Sequence, residues 1–248
     1  MPELPEAERA RLTLEEVLGR PVADVDDSDT YVCRPFAPGE IATALRGETF
    51  VAAGRQGKFL WLETCECPTL GLHLGMAGRI VLDPHDRLRS DRFRVDFADG
   101  TSFVLRDRRR LGRAVLNPSH EHLGPDAGIV GRDAFRRQVG RGRTAIKARL
   151  LDQGSISGVG NLLADEALWR ARLSPRRIAG ELTEAELDRL RRELRAALRS
   201  AHRQGGVHTG RFVAVRGREG PGCPRDGSPL ERATIGGRTT YWCPVCQC

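Results

Sequence analysis

The sequence predicts an α+β chain in two parts: a β-sandwich or barrel first, then a helical region that ends in a cysteine-bearing hairpin. Three observations predict it. From about residue 22 to 117, short apolar or alternating runs are separated by turn residues, the pattern of half-buried strands. After residue 130 the apolar spacing becomes that of amphipathic helices. Of seven cysteines, Cys223, Cys243, Cys246 and Cys248 crowd into the last 26 residues.

The elements follow in order. Residues 3–18 carry Leu4, Ala7, Leu12, Val17 and Leu18 among charges, a helix closed by Gly19 before Pro21. Within 22–117 the runs at 49–53, 59–63, 93–97 (before Asp99-Gly100), 102–106 and 113–116 are examples of the expected strands, with a short helix at 38–45 ended by Gly47. Asn117-Pro118 and Gly124-Pro125-Asp126 interrupt the pattern and mark a boundary. Helices are expected at 131–139, 145–151, 161–171 and 183–202. The last opens on a capping box, Thr183 with Glu186, and places Leu187, Leu190, Leu194 and Leu198 on one face before Gly205-Gly206 ends it. The remainder reads as short strands and turns.

A formal net charge of +7 points to a polyanionic partner. No run of about 18 apolar residues and no secretory pattern opens or crosses the chain, so a cytosolic protein without membrane contact is expected. In a reducing cytosol Cys33, Cys65 and Cys67 read as free thiols. Of 40 basic residues only Lys58 and Lys147 are lysines, although arginine cannot replace lysine where a compact or transferable proton is needed.

The chain begins Met1-Pro2-Glu3-Leu4-Pro5-Glu6. Removal of Met1 leaves Pro2 with a free secondary amine of pKa about 8, partly unprotonated at neutral pH. Such an amine can attack an electrophilic carbon and form an iminium ion, and Glu3 and Glu6 lie within one helical turn to move protons. An ordinary proline at a helix start is the plain alternative.

Other motifs add to this. Cys223-Pro-Arg-Asp226 and Cys243-Pro-Val-Cys246, sixteen residues apart, suit a β-hairpin finger holding one structural zinc ion, with Asp226 or Cys248 as the fourth ligand. The segment Gly158-Val159-Gly160-Asn161 joins two helices, and the unpaired N–H groups of the second would form a phosphate site flanked by Lys147, Arg149, Arg170 and Arg172. Gly57-Lys58-Phe59 enters a strand, from which Lys58 projects. His73-Leu74-Gly75-Met76-Ala77-Gly78 and Asp107-Arg108-Arg109-Arg110-Leu111-Gly112 read as loops presenting Met76 and Leu111 beside arginines, apolar wedges for a vacated base stack.

These six motifs, in the order in which they follow along the chain, resemble the formamidopyrimidine-DNA glycosylase / endonuclease VIII family nearly end to end. The resemblance implies an N-terminal β-sandwich (1–125), a helix–two-turn–helix domain (126–210) and a zinc-finger hairpin (211–248), with DNA in the cleft between the domains. It implies Pro2 as nucleophile at deoxyribose C1′, Glu3 as acid/base, Lys58 on the DNA backbone and assisting proton transfer, and Glu6 as support. It further implies Asn161 and Arg238 as phosphate grips, and Met76, Arg109 and Leu111 as the void-filling trio. Gly160 of the glycine loop and Lys147 at its flank are expected DNA contacts beside them. The family's usual aromatic is replaced at Leu111. Only eight residues separate Gly205-Gly206 from Val215, where the 8-oxoguanine branch carries a longer loop over the flipped purine. Formamidopyrimidines, hydantoins, oxidised pyrimidines or abasic sites are therefore the expected lesions. The expectation is a monomeric, nucleoid-associated bifunctional glycosylase/AP lyase acting on double-stranded DNA. A non-catalytic damage binder of the same fold and a zinc-ribbon regulator are the rivals, and neither would need Pro2, Glu3 and Lys58.

Overall fold

The computed structural model describes residues 2–65, 68–218 and 220–248. It divides into two compact units: Pro2 with Ala7–His120, and Glu3–Glu6 with Glu121–Cys248. Cys67 lies outside the described residues; Cys33 and Cys65 are free thiols, and burial with the charges of Asp27 and Asp29 pushes Cys33 up to about 12.

The first unit holds helices α1 (Leu4–Glu15, its first turn assigned to the second unit) and α2 (Glu40–Leu45) and eight strands. The strands are β1 (Val22–Asp26), β2 (Phe50–Gln56), β3 (Phe59–Thr64), β4 (Leu70–His73), β5 (Arg79–Leu82), β6 (Asp91–Phe97), β7 (Ser102–Arg106) and β8 (Arg113–Leu116). They form two antiparallel sheets, ordered β1-β6-β7-β5 and β2-β3-β4-β8. Alternation decides which face is inside: Phe93, Val95 and Phe97 of β6 and Leu60 and Leu62 of β3 are buried while their neighbours are not. Both inner faces share one apolar cluster, in which Phe50 meets Phe97 edge-on at 6.3 Å, so the β-rich half is a sandwich.

The second unit packs α3 (Arg132–Val139), α4 (Ile146–Leu151), α5 (Asn161–Ala171) and α6 (Glu184–Gln204) round a second apolar cluster, and adds the hairpin of β9 (Glu231–Ile235) and β10 (Arg238–Trp242). Helix α6 starts on the Thr183/Glu186 capping box and buries Leu187, Leu190, Leu194 and Leu198. Among the described residues no helix is long and apolar enough to cross a membrane.

Candidate active site and metal centre

Glu3 is fully buried, and its carboxylate closes the amino-terminal end of α5. Oε2 accepts the N–H groups of Gly160 and Leu163, both at 3.0 Å, and Oε1 accepts that of Leu162 at 2.9 Å. These are donors that the first turn of a helix leaves without partners, at the positive end of its dipole. These N–H groups, expected to receive a phosphate, are taken by the protein's own anion. Close approach makes this possible. A Cβ on Gly160 would lie 2.3 Å from the Glu3 carboxyl carbon, and one on Gly158 (φ 99°) would lie 2.5 Å from Leu4. Leu4 N–H also donates to the Gly158 carbonyl at 3.1 Å.

Glu6 fixes the same backbone from its other side. One oxygen accepts the Glu3 N–H at 2.9 Å and the other the Val207 N–H at 2.8 Å. Gly206, at φ 142°, admits this contact, since a Cβ there would come within 2.7 Å of Glu6 Oε1. Pro2, just before Glu3, is half-buried.

Lys147 requires a correction. Its side chain has no exposed surface, so it cannot touch a phosphate in this fold. Nζ lies 2.7 Å from Asp165 Oδ1 and donates to Thr240 Oγ1 at 2.7 Å, while Arg216 Nη2 lies 2.7 Å from Asp165 Oδ2. Burial pushes the Asp165 carboxyl up and the Lys147 ammonium down, against the attraction between them. The Thr239 carbonyl of β10 accepts from Arg216 at 3.0 Å, Lys147 at 3.4 Å and Asn161 Nδ2 at 3.1 Å. Lys147 therefore ties α4, α5 and the hairpin together. Asn161 keeps a buried Oδ1 with no hydrogen-bond partner among the described residues. Arg238 opens β10 beyond the Gly236-Gly237 turn, exposed and without an ion pair among the described residues.

At the end of the chain Cys223, Asp226, Cys243 and Cys246 place their ligand atoms within 4.8 Å of one another. Cys223 and Cys246 sulfurs are 3.7 Å apart, and Cys243 Sγ is 3.5 Å from an Asp226 oxygen. A tetrahedron with metal–sulfur bonds of about 2.3 Å and a metal–oxygen bond of about 2.0 Å has edges of about 3.8 and 3.5 Å. The donors therefore fit one tetrahedral ion. Cys248 lies outside the group, exposed, its carbonyl accepting from Ser174 N–H. Trp169 Nε1 donates to Cys223 Sγ at 3.3 Å, and the Trp169 ring stacks on buried Phe212 at 5.7 Å.

Glu166, buried on α5, pins the short segment after α6. Its Oε2 accepts the N–H groups of Phe212 at 2.8 Å and Val213 at 3.2 Å, and Arg170 holds Oε1 at 2.7 Å. A Cβ on Gly210 would lie 2.5 Å from that same Oε2.

In the first unit Lys58 sits in the two-residue turn between β2 and β3 rather than on a strand, with Gly57 at φ 61° as such a turn requires. Across the sheet, Phe59 pairs with His73. His73 Nδ1 accepts the Gly75 N–H at 3.0 Å, and burial together with the Lys58 charge holds its imidazole below the ordinary value. Gly75, at φ 59°, lies against the Leu111–Gly112 peptide, where a Cβ would come within 2.4 Å. The loops bearing Met76 and Leu111 thus touch.

Asp107 shapes the second loop from below. Fully buried, it accepts the N–H groups of Arg109 at 2.9 Å, Leu111 at 2.8 Å and Gly112 at 2.7 Å. Arg109 and Leu111 are left exposed above it, and Met76 half-buried. Sequence reasoning missed Asp107 as a positioning residue, although an aspartate two and four residues ahead of its donors is a readable turn signal. It also missed Asp165, Glu166 and Arg216, for which no local signal exists.

Comparison with known proteins agrees with this architecture. Residues 1–114 match the model of the formamidopyrimidine-DNA glycosylase N-terminal domain, and residues 123–212 that of the formamidopyrimidine-DNA glycosylase H2TH domain. The chain is 35% identical to a formamidopyrimidine-DNA glycosylase of Nocardioides sp., covering 100% of this chain and 94% of the relative. It is 36% identical to that of Streptomyces avermitilis, covering 100% and 98%. Lactococcus lactis Fpg, solved with abasic-site DNA, superposes with a TM-score of 0.86 at 27% identity over 99% of both chains. MutM, solved with DNA containing carbocyclic 8-oxo-G, gives 0.87 at 26% identity over 99% of both. The chain belongs to the formamidopyrimidine-DNA glycosylase family.

Proposed function

We propose that the chain is a bifunctional DNA glycosylase/AP lyase of base-excision repair, acting on double-stranded DNA with damaged bases or abasic sites. The observation that carries the mechanism is the anchoring of Glu3: the carboxylate beside Pro2 is fixed by three backbone donors, and Glu6 fixes its N–H. In this reading the Pro2 nitrogen attacks C1′ and gives up its proton, the C1′–N bond breaks and the base leaves with a proton supplied through Glu3. The C1′–O4′ bond then opens with a proton delivered to O4′ through Glu3, which leaves the Pro2–C1′ iminium. The iminium acidifies the C2′ proton, whose loss expels the 3′ phosphate by β-elimination; δ-elimination then expels the 5′ phosphate. Lys58 contacts the backbone and assists proton transfer. Asn161 and Arg238 grip phosphates, and Met76, Arg109 and Leu111 fill the vacated stack. The protein works as a monomer in the cytoplasm, at the nucleoid, through three functional parts: 1–125, 126–210 and 211–248.

The metal of the finger is one zinc ion held by Cys223, Asp226, Cys243 and Cys246. Bound there, it supplies folding free energy to the hairpin that carries Arg238.

The short segment that Glu166 pins supports a reading of the lesion. The alignment with the Nocardioides relative spans 278 positions against 248 residues here, so at least 30 have no counterpart in this chain. A connection this short forms no lid over a purine, which favours formamidopyrimidines, hydantoins, oxidised pyrimidines and abasic sites over 8-oxoguanine.

Incubation with a panel of lesion-bearing duplexes under borohydride tests the whole reading. A covalent adduct is expected, with mass spectrometry placing the link on Pro2 and Pro2→Gly strongly reducing it. An adduct formed equally well by that variant would point to another nucleophile. A protein that binds lesions yet cuts none would be a damage binder instead.

A further inference from the structure

Five of the side chains round one turn of the first unit form a cluster that the mechanism above does not use. Tyr31 is the one aromatic among the exposed large apolar side chains of the described residues, at 45% exposure. Three guanidinium groups surround its ring: Arg34 at 3.8 Å from the centroid, Arg110 at 5.7 Å and Arg113 at 5.8 Å. Arg34 and Arg113 both donate to the Tyr31 carbonyl, the latter at 2.7 Å.

The arrangement is rigid. Asp29 accepts the N–H groups of Tyr31 and Val32 at 3.1 and 3.2 Å, and also binds Arg110 through both its oxygens, at 3.0 and 2.8 Å. Arg110 stands between Arg109 and Leu111, so this one carboxylate joins the aromatic turn to the wedge loop. The β8 backbone adds a second tie, Ala114 N–H donating to the Val32 carbonyl at 3.1 Å.

Its charge is unbalanced. Among the described residues Asp29 pairs with Arg92 and Arg110 while Arg34 and Arg113 have no ion pair; nearby, Asp26 pairs with Arg87 and Asp27 binds the N–H groups of Gly39, Ile41 and Ala42. Cations held this close repel one another, and an anion settling among them relieves that repulsion. An exposed ring set in surplus guanidinium charge suits one ligand chemistry, a nucleobase joined to a phosphate.

We propose that Tyr31, with Arg34, Arg110 and Arg113, is a stacking platform that takes an unstacked base of the damaged duplex, and its phosphate, beside the wedge loop. The platform deepens the DNA-repair reading and rests on it.

The probe is a duplex with a tetrahydrofuran abasic analogue and 2-aminopurine opposite it, set against the undamaged duplex. Tyr31→Ala should weaken binding of the abasic duplex about 5- to 100-fold, and the aminopurine quenching seen with the parent protein should be lost. Tyr31→Phe should retain both, and Tyr31→Leu, apolar without a π face, should lose both while melting like the parent. Arg113→Gln should reduce the salt slope by about one phosphate's worth. The platform is overturned if Tyr31→Ala or Tyr31→Leu leaves affinity and emission unchanged. It is also overturned if Tyr31→Phe fails as they do, or if loss is equal on undamaged duplex with emission unaltered. Borohydride trapping in parallel separates the two ideas. Trapping without any dependence on Tyr31 removes the platform alone, whereas Tyr31-dependent binding without trapping removes the glycosylase reading alone.

Discussion

Gly160 and Glu3 are in such close contact that the space for a side chain at one is filled by the carboxylate of the other. A Cβ on Gly160 would lie 2.3 Å from the Glu3 carboxyl carbon, though the backbone there (φ −119°) suits any residue. Gly160→Ala therefore acts by displacing Glu3 and not by straining the chain. We expect it to lower base excision at least about 100-fold, the low end of what acid–base catalysis contributes, and to cost about 1–3 kcal/mol of stability by overpacking. Single-turnover excision and melting together check it; unchanged excision would remove Glu3 from the chemistry. Glu3→Gln, which keeps the size and loses the titrating proton, should bind DNA normally and excise poorly.

Arg238 and Lys147 should separate cleanly by salt dependence. Arg238→Ala removes an exposed charge and should weaken DNA binding about 10- to 100-fold, with a salt slope smaller by about one phosphate. Lys147→Met leaves Asp165 buried with one cation instead of two, and should cost about 3–5 kcal/mol of stability. For such fraction as stays folded, the salt slope should be unchanged. A slope that falls for Lys147→Met as it does for Arg238→Ala would restore Lys147 as a phosphate contact.

Metal removal should act through the hairpin. Burial holds the Cys246 thiol up at about 12, so without the ion it stays protonated and binding of a metal must release that proton. Purified protein should contain about one zinc per chain, with affinity that falls as pH is lowered. Asp226→Ala should release the ion more readily, and Cys248→Ser should not. Active protein free of zinc would rule the centre out.

The His73 imidazole supplies a pH prediction. Its folded value lies below the ordinary 6.5 because of burial and then Lys58. The unfolded chain therefore takes up its proton first as pH falls, and stability should decline from about 6.5 downward until the folded imidazole also titrates. NMR titration should find His73 below 6.5, and Lys58→Met should move it part of the way back, burial being unchanged. A titration that ignores the Lys58 substitution would mean the two charges do not interact.

Local rules made much of this molecule readable from sequence. The α6 capping box and its leucine face obey short-range periodicity, and the two cysteine knuckles carry their own ligand spacing. Strands β1, β4 and β5 lie inside the strand-rich stretch 22–117 but not among the runs singled out in it, since four or five residues carry little pattern of their own. The partners of buried charges escaped for a different reason. Glu3 meets Gly160 across 157 residues, and Lys147 and Arg216 meet on Asp165 from separate parts of the chain. Such pairings depend on which helix ends the fold brings together, and no spacing in the chain encodes them. A lysine kept among 38 arginines was legible as unusual; that it serves the interior was not.

The segment held by Glu166 has a thermodynamic consequence. Because Phe212 and Val213 are already bonded and Phe212 is already buried, nothing here has to be ordered when a damaged nucleotide arrives. Ordering a loop withdraws conformational entropy from the affinity and adds a slow opening step before product can leave. A stub that is folded beforehand avoids both.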